Sequence, residues 1–261
     1  MKRLAFAAAL ILSLIANPLK SFAWGKTGHE LVGQIAFQLL DKETRNKVLK
    51  DLQGFDFAQA ATWMDDERRN SQFDAMKPWH YIDIEKDSAY KPTAEKNALT
   101  LLNSIISKFQ QHSTLSGQMQ RDLLILFHLV GDLHQPLHTG YPSDRGGNDV
   151  SVNIGGSSTN LHSFWDTRLI EEEHVSLKEC MEVYKTYSKE KVDQLEQISV
   201  MGWFKESRSF LPAVYGFNNF TIDKQYRGTA KPIIMQQLVA AGVRLASVLK
   251  MVYGSNNPPL Q

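Results

Sequence analysis

Cysteine is nearly absent: Cys180 is the only one in 261 residues. A single thiol closes no internal disulfide, so stability must come from packing or from bound metal. No Pro/Ser-rich linker, internal repeat or low-complexity tract interrupts the chain. The length therefore reads as one domain rather than several. An excess of positive charge is missing too. Taking Lys2, Arg3 and Lys20 away from the 29 basic residues leaves 26 against 28 acidic ones, a net charge of −2. That excludes the broad basic surface of a protein that grips long nucleic acid, and leaves room only for a local site.

The N-terminal apolar run, Leu4 to Ala16, is too short to span a bilayer comfortably. It follows the basic pair Lys2-Arg3 and precedes Ser21-Phe22-Ala23, with small residues where a signal peptidase reads. This order predicts a secretory signal peptide over residues 1–23, removed after Ala23. An uncleaved anchor helix is the competing reading, and the well-formed small-residue site weighs against it. The mature chain, residues 24–261, would start at Trp24, carry no membrane span, and reside in the periplasm or the medium. The leader has a bacterial look.

Helical spacing dominates what remains. His29 to Leu40 repeats apolar residues on one face, and Lys42 to Leu52, Phe57 to Arg69 and Ala94 to His112 do the same. Gln118 to His134 is strongly apolar and reads as the central helix, stopped or kinked by Pro136. The segment from Ser143 to Thr159 differs: glycine pairs at 146–147 and 155–156 flank the alternation Val150 to Ile154, predicting a loop, a short strand and a turn. Asn160 then caps a further helix, and the last helix is predicted from about Ile233 to Val252. The fold class is mainly α, a single compact helical domain with a short β-hairpin.

The chemistry concentrates in histidines and aspartates. On the central helix His128 and Asp132 are four apart and share a face; His162 and Asp166 repeat the spacing. One such pair is most simply an ion pair. Two of them in apolar surroundings are better explained by a bound metal that offsets the cost of burying charge. His29, Asp65, His80 and His138 complete a thiolate-free ligand set suited to zinc with open positions. His134 falls about 240° around the helix from His128 and points elsewhere. His112 and His174 read as solvated, and Gly33 stands where a zincin after His29-Glu30 would need a second histidine.

Several segments together resemble the zinc-dependent, single-strand-preferring nuclease and 3′-nucleotidase family, the S1/P1 nucleases. They are Trp24-Gly25 with Gly28-His29, Ala61-Thr62-Trp63 with Asp65, His80-Tyr81-Ile82-Asp83, His128 with Gly131-Asp132, His134-Gln135-Pro136-Leu137-His138, Gly146-Gly147-Asn148, and Asn160-Leu161-His162 with Trp165-Asp166. The resemblance covers nearly the whole mature chain. It implies three Zn2+ ions per chain. Asp65, His80, His128 and Asp132 would hold the first, and His138, His162 and Asp166 the second. The third would take His29, a bridging Asp132, and the free amine and carbonyl of Trp24, which exist as such only after cleavage at Ala23. It also implies an endonuclease of single-stranded DNA and RNA that leaves 5′-phosphates and removes 3′-phosphates from nucleotides. Asp65 would orient the attacking water, Arg68 and Asn148 would steady the phosphate, and Tyr81 and Asp83 would take the base. No stable protein partner is expected, and the chain is expected to be a monomer.

One departure from the family pattern is covalent: fungal and plant members use disulfides and glycans, whereas Cys180 is alone, and the sequon Asn219-Phe220-Thr221 reads as incidental. The main rival reading is a zinc-dependent phospholipase C, which has a similar helical trinuclear fold. The His80 to Asp83 and Asn160 to Asp166 segments favour the nuclease. A non-enzymatic zinc store is the other rival, and the open His/Asp ligand set weighs against it.

Overall fold

The computed structural model describes residues 24–254; the expected signal peptide, residues 1–23, and residues 255–261 lie outside that range. Three helices open the described chain: α1 (Lys26–Leu39), α2 (Lys42–Leu52) and α3 (Phe57–Asp66). Asp41 caps α2 by accepting from Thr44 N, and Asp56 with Gln59 closes a reciprocal capping box on α3. The apolar pattern predicts that the third helix continues to Arg69. The α-helix instead stops at Asp66, and the chain tightens into a 3₁₀ turn over Glu67–Arg69. That turn brings Arg68 Nη1 within 3.4 Å of Asp65 Oδ1.

The fourth helix, α4 (Ala98–Gln110), starts later than the predicted Ala94. Asn97 fixes its start by accepting from Thr100 N while the Thr100 hydroxyl accepts from Asn97 N. Helix α5 (Met119–Leu133) is buried continuously from Asp122 to Leu133. A helix wrapped on all sides is the centre of its domain, as the unbroken apolar run predicts. It ends ahead of Pro136, which begins a 3₁₀ turn over Pro136–Thr139.

The glycine-flanked alternation forms the hairpin of β1 (Ser151–Ile154) and β2 (Ser157–Asn160), antiparallel with Ser151 opposite Asn160. It is the one sheet among the described residues. Asn160 caps the next helical run through Ser163 N. That run is not uniform: α6 (Leu161–Ser163) widens into a π-turn over Phe164–Arg168 before α7 (Leu169–Glu172). The remaining helices are α8 (Leu177–Lys185), α9 (Lys189–Leu195), α10 (Val200–Ser209), α11 (Leu211–Val214) and α12 (Lys224–Tyr253).

Helix α12 packs against α1, α5 and α8. Its start corrects the predicted one, because Asp223 caps it and the helix runs through Pro232 rather than beginning after it. The N–H that proline lacks would have bonded to Gly228, which is exposed, so water replaces that bond cheaply. α12 is long and apolar enough to cross a membrane, but 78% of that stretch is buried inside the protein, the signature of a core helix. The architecture is mainly helical with a small hairpin, and the helices converge on one hydrophobic core.

Candidate metal centre

Asp132 lies in the buried stretch of α5 with no exposed surface, and four imidazoles surround its carboxylate. Oδ2 is 3.0 Å from His80 Nδ1 and 3.3 Å from His128 Nε2. Oδ1 is 3.4 Å from His29 Nε2 and 3.5 Å from His138 Nδ1. The two oxygens thus face different histidines, the geometry a bridging carboxylate needs. A second buried carboxylate, Asp166 in the π-turn, has Oδ2 3.2 Å from His162 Nε2. His138 Nε2 lies 3.2 Å from His162 Nε2 and 4.0 Å from Asp166 Oδ1.

The backbone sets the ring orientations. His128 Nδ1 lies 2.7 Å from Ala61 O, His138 Nδ1 2.8 Å from His80 O, and His162 Nδ1 2.6 Å from Gly146 O. With Nδ1–H donating to a carbonyl, the neutral form of each ring has its lone pair at Nε2, the state in which imidazole binds a metal. Two glycines make room. A Cβ at Gly131 would sit 2.8 Å from His29 Nδ1, so α5 approaches that ring only because position 131 is bare. Gly146 holds φ +61, which turns its carbonyl to His162.

These contacts form three groups whose ligand atoms converge: His29, His128 and Asp132; Asp65, His80 and His128; and His138, His162 and Asp166. The structure therefore brings together eight of the side chains singled out in the sequence. Its grouping differs in one respect, because His128 stands close to both Asp65/His80 and His29. The His29 and His128 rings stack at 3.9 Å.

The donor chemistry fits a multi-metal site. Both ring nitrogens of His29, His80 Nε2 and Asp132 Oδ1 are buried without a hydrogen-bond partner among the described residues. Native interiors rarely leave such atoms orphaned, and cations among them would satisfy one nitrogen of His29, His80 Nε2 and Asp132 Oδ1 together. His128 Nε2 and His80 Nδ1 also face each other at 3.0 Å, which suits one shared cation or proton. Burial disfavours the charged forms throughout, and charge partners oppose it. Burial alone would lower His128, but the Asp132 carboxylate beside it overrides that and pushes it up to about 9. Burial pushes His138 down to about 4 despite Asp132, with His162 adding to the fall.

Trp24 is fully buried, and Gly25 N donates to Asp166 O at 2.6 Å, tying this segment to the centre. Asn148 sits half-buried on the glycine loop, its amide donating to Arg145 O. Tyr81 is 45% exposed, and Asp83 stands two residues on. Both line an open cavity of about 580 Å³ with Tyr90 and Lys96. Asp83 Oδ1 is buried without a partner among the described residues, and burial raises this carboxyl to about 6. His134 stays out of the clusters, as its helical angle predicts: Nδ1 donates to Val130 O and Arg244 Nη1 donates to Nε2. His112 and His174 are exposed.

Sequence reasoning assigned no role to Gln135, whose amide donates to Asp166 Oδ1 at 2.5 Å. Its signal in the sequence was an amide between the candidate ligands Asp132 and His138; its full burial is seen only in the structure.

The S1/P1 Nuclease family model matches residues 24–254. Among similar proteins, Endonuclease 2 of Arabidopsis thaliana is 28% identical over 88% of this chain and 91% of its own length. Nuclease S1 of Aspergillus oryzae is 25% identical over 89% of this chain and 92% of its own. Nuclease P1 of Penicillium citrinum is 29% identical over 55% of this chain and 57% of its own.

Proposed function

Because the chain belongs to the S1/P1 nuclease family and is a hydrolase-type nuclease with candidate metal-binding residues, we propose that it is an exported, three-zinc endonuclease of single-stranded DNA and RNA. It leaves 5′-phosphate products and removes the phosphate of 3′-nucleotides. The observation that carries this reading is the convergence of three buried His/Asp groups around Asp132 and Asp166. The matched family speaks against the phospholipase C reading, and the enzyme reading against a zinc store.

Asp65, His80, His128 and Asp132 would hold one ion, and His138, His162 and Asp166 another; His29, the backbone of Trp24 and a shared Asp132 would hold the third. Bound zinc supplies positive charge to a phosphate and an ionised water near neutral pH. Asp65 would orient the attacking water by accepting a hydrogen bond from it. The Arg68 guanidinium stands one turn away at the rim, 31% exposed, where it can donate to a phosphate oxygen. Asn148 offers its amide from the glycine loop. Tyr81 presents a ring face for a base, and the Asp83 carboxylate, which lines the same cavity, would accept from the base's polar edge. A base reaches such a pocket only when unstacked, which favours single strands.

Removal of residues 1–23 would create the Trp24 amine. The reading includes a bacterial source, a periplasmic or extracellular location, no membrane span in the mature chain, and a monomer without a stable protein partner. The burial of α12 supports the absence of a span.

The test is purified protein beginning at Trp24, assayed on single-stranded DNA, RNA, a 3′-mononucleotide and a choline phosphodiester. Acid-soluble nucleotides with 5′-phosphates and free phosphate from the mononucleotide are expected. Release of choline phosphate alone would overturn the proposal.

A further inference from the structure

Gln135 lies between two metal-ligand positions in sequence, fully buried, and both ends of its amide are committed. Its Nε2 donates to Asp166 Oδ1 at 2.5 Å, and its Oε1 accepts from Leu137 N at 2.7 Å. The second bond caps the 3₁₀ turn that carries His138. One side chain therefore touches the carboxylate of one ligand and the backbone that aims another. With Oδ1 turned to Gln135, Oδ2 faces His162 Nε2 at 3.2 Å.

The Gln135 backbone is braced in turn. His134, the preceding residue, is clamped to α12, where Gln237 Nε2 donates to His134 O at 2.9 Å and Arg244 Nη1 to His134 Nε2 at 2.6 Å. Arg244 is itself paired with Glu206 of α10. Position 135 is thus held by the long core helix rather than by a flexible loop.

We propose that Gln135 is the positioning residue of the His138, His162 and Asp166 site: it fixes the Asp166 carboxylate and the His138 turn in one geometry, so that this site alone depends on it. The proposal rests on the metal-centre reading above. Partners that orient metal ligands commonly matter by about 10–100-fold in metal affinity. Gln135→Met keeps length and apolar bulk but removes donor and acceptor together. Gln135→Glu keeps length and an acceptor but turns a carboxylate toward Asp166.

The experiment titrates zinc-loaded wild type, Gln135→Met, Gln135→Glu and Asp166→Asn with a chelator and follows zinc released per chain. It includes the double variant Gln135→Met/Asp166→Asn. In Gln135→Met one step of release should move to about 10–100-fold weaker chelation while the others stay in place. Gln135→Glu should be at least as impaired, and in the double variant the second substitution should add nothing, the mark of two groups serving one site. In cobalt-loaded protein the visible absorption of one ion should change while the rest persists.

Release curves of Gln135→Met that overlay wild type overturn the proposal. So does equal weakening of every step, which would make Gln135 a packing residue for the whole centre. Additive losses in the double variant place its effect elsewhere and overturn it as well. A wild-type chain that retains no zinc would instead remove the metal-centre reading itself, and this proposal with it.

Discussion

Asp132 and Asp166 are both buried carboxylates four residues after a histidine, yet they face different company. Asp132 has imidazoles within 3.5 Å of each oxygen, whereas Asp166 meets the histidines mainly through Oδ2 and gives Oδ1 to Gln135. Asp132→Asn should therefore disturb more than one ion and Asp166→Asn only one. The expected loss of kcat is at least about tenfold larger for Asp132→Asn, with a larger loss of bound metal. Equal losses with full metal in both variants would count against a bridging Asp132. Cys180 supplies a contrasting residue. Burial pushes its thiol up to about 12, and no surface reaches it. The native protein should not react with a thiol reagent at pH 8, and the unfolded chain should react fully, because only the thiolate is nucleophilic.

Elements place these residues, and here the sequence was legible unevenly. The i, i+4 spacing of His128 and Asp132 was readable because α5 is a regular helix with a uniform apolar face. The same spacing at His162 and Asp166 also brings the two side chains together, by a less regular route, since that helix widens into a π-turn under Asp166. Such widenings are frequent at functional sites and leave no periodic signature. The late start of α4, the 3₁₀ turn at Arg68 and the passage of α12 through Pro232 were equally hidden, because caps and tertiary packing decide them rather than hydrophobic period. Gly131 makes the point quantitatively. Glycine inside a helix costs about 1 kcal/mol relative to alanine, so propensity alone favours Gly131→Ala. The added Cβ would meet His29 Nδ1 at 2.8 Å, and overpacking of this kind costs about 1–3 kcal/mol. Gly131→Ala should lower the melting temperature of zinc-loaded protein and weaken its hold on at least one ion. A variant more stable than wild type with unchanged zinc content would show that the ring has room to move.

For the molecule as a whole, the candidate ligand side chains come from α1, α3, a 3₁₀ segment (Ser71–His80), α5, the 3₁₀ turn at His138 and the run after β2. Ions at their meeting point would tie most of the fold together, a role that a chain with one cysteine cannot give to disulfides. Free energy of binding at a site absent from the unfolded chain becomes folding free energy, about 4 kcal/mol for one site with free zinc a thousandfold above Kd. Stripping zinc with a chelator should lower the melting temperature by roughly 10 °C or more, and zinc should restore it. Apo-protein that melts with the holo-protein would mean that the packed core suffices alone.

Residue 24 belongs to the same scale, because the proposed cleavage after Ala23 would couple the fold to processing. Trp24 is fully buried beside His29, and the next residue is hydrogen-bonded to the backbone of Asp166. An amine at Trp24 would have a lone pair to offer; an amide, with one residue more before it, would not. Extra chain would also have to leave a site that is closed around the indole. Three proteins separate the readings: one starting at Trp24, one with an added Ala before it, and one with Trp24→Phe at the correct start. If the backbone of residue 24 is a ligand, the extended form should lose about one zinc and most activity, while Trp24→Phe should keep its metal and lose mainly stability, by about 1–3 kcal/mol for the altered packing. If instead the indole alone matters, Trp24→Phe should be the poorer protein and the extension should do little. An extended form with full zinc content and full activity would remove the N-terminal ligand and leave its site to His29, His128 and Asp132.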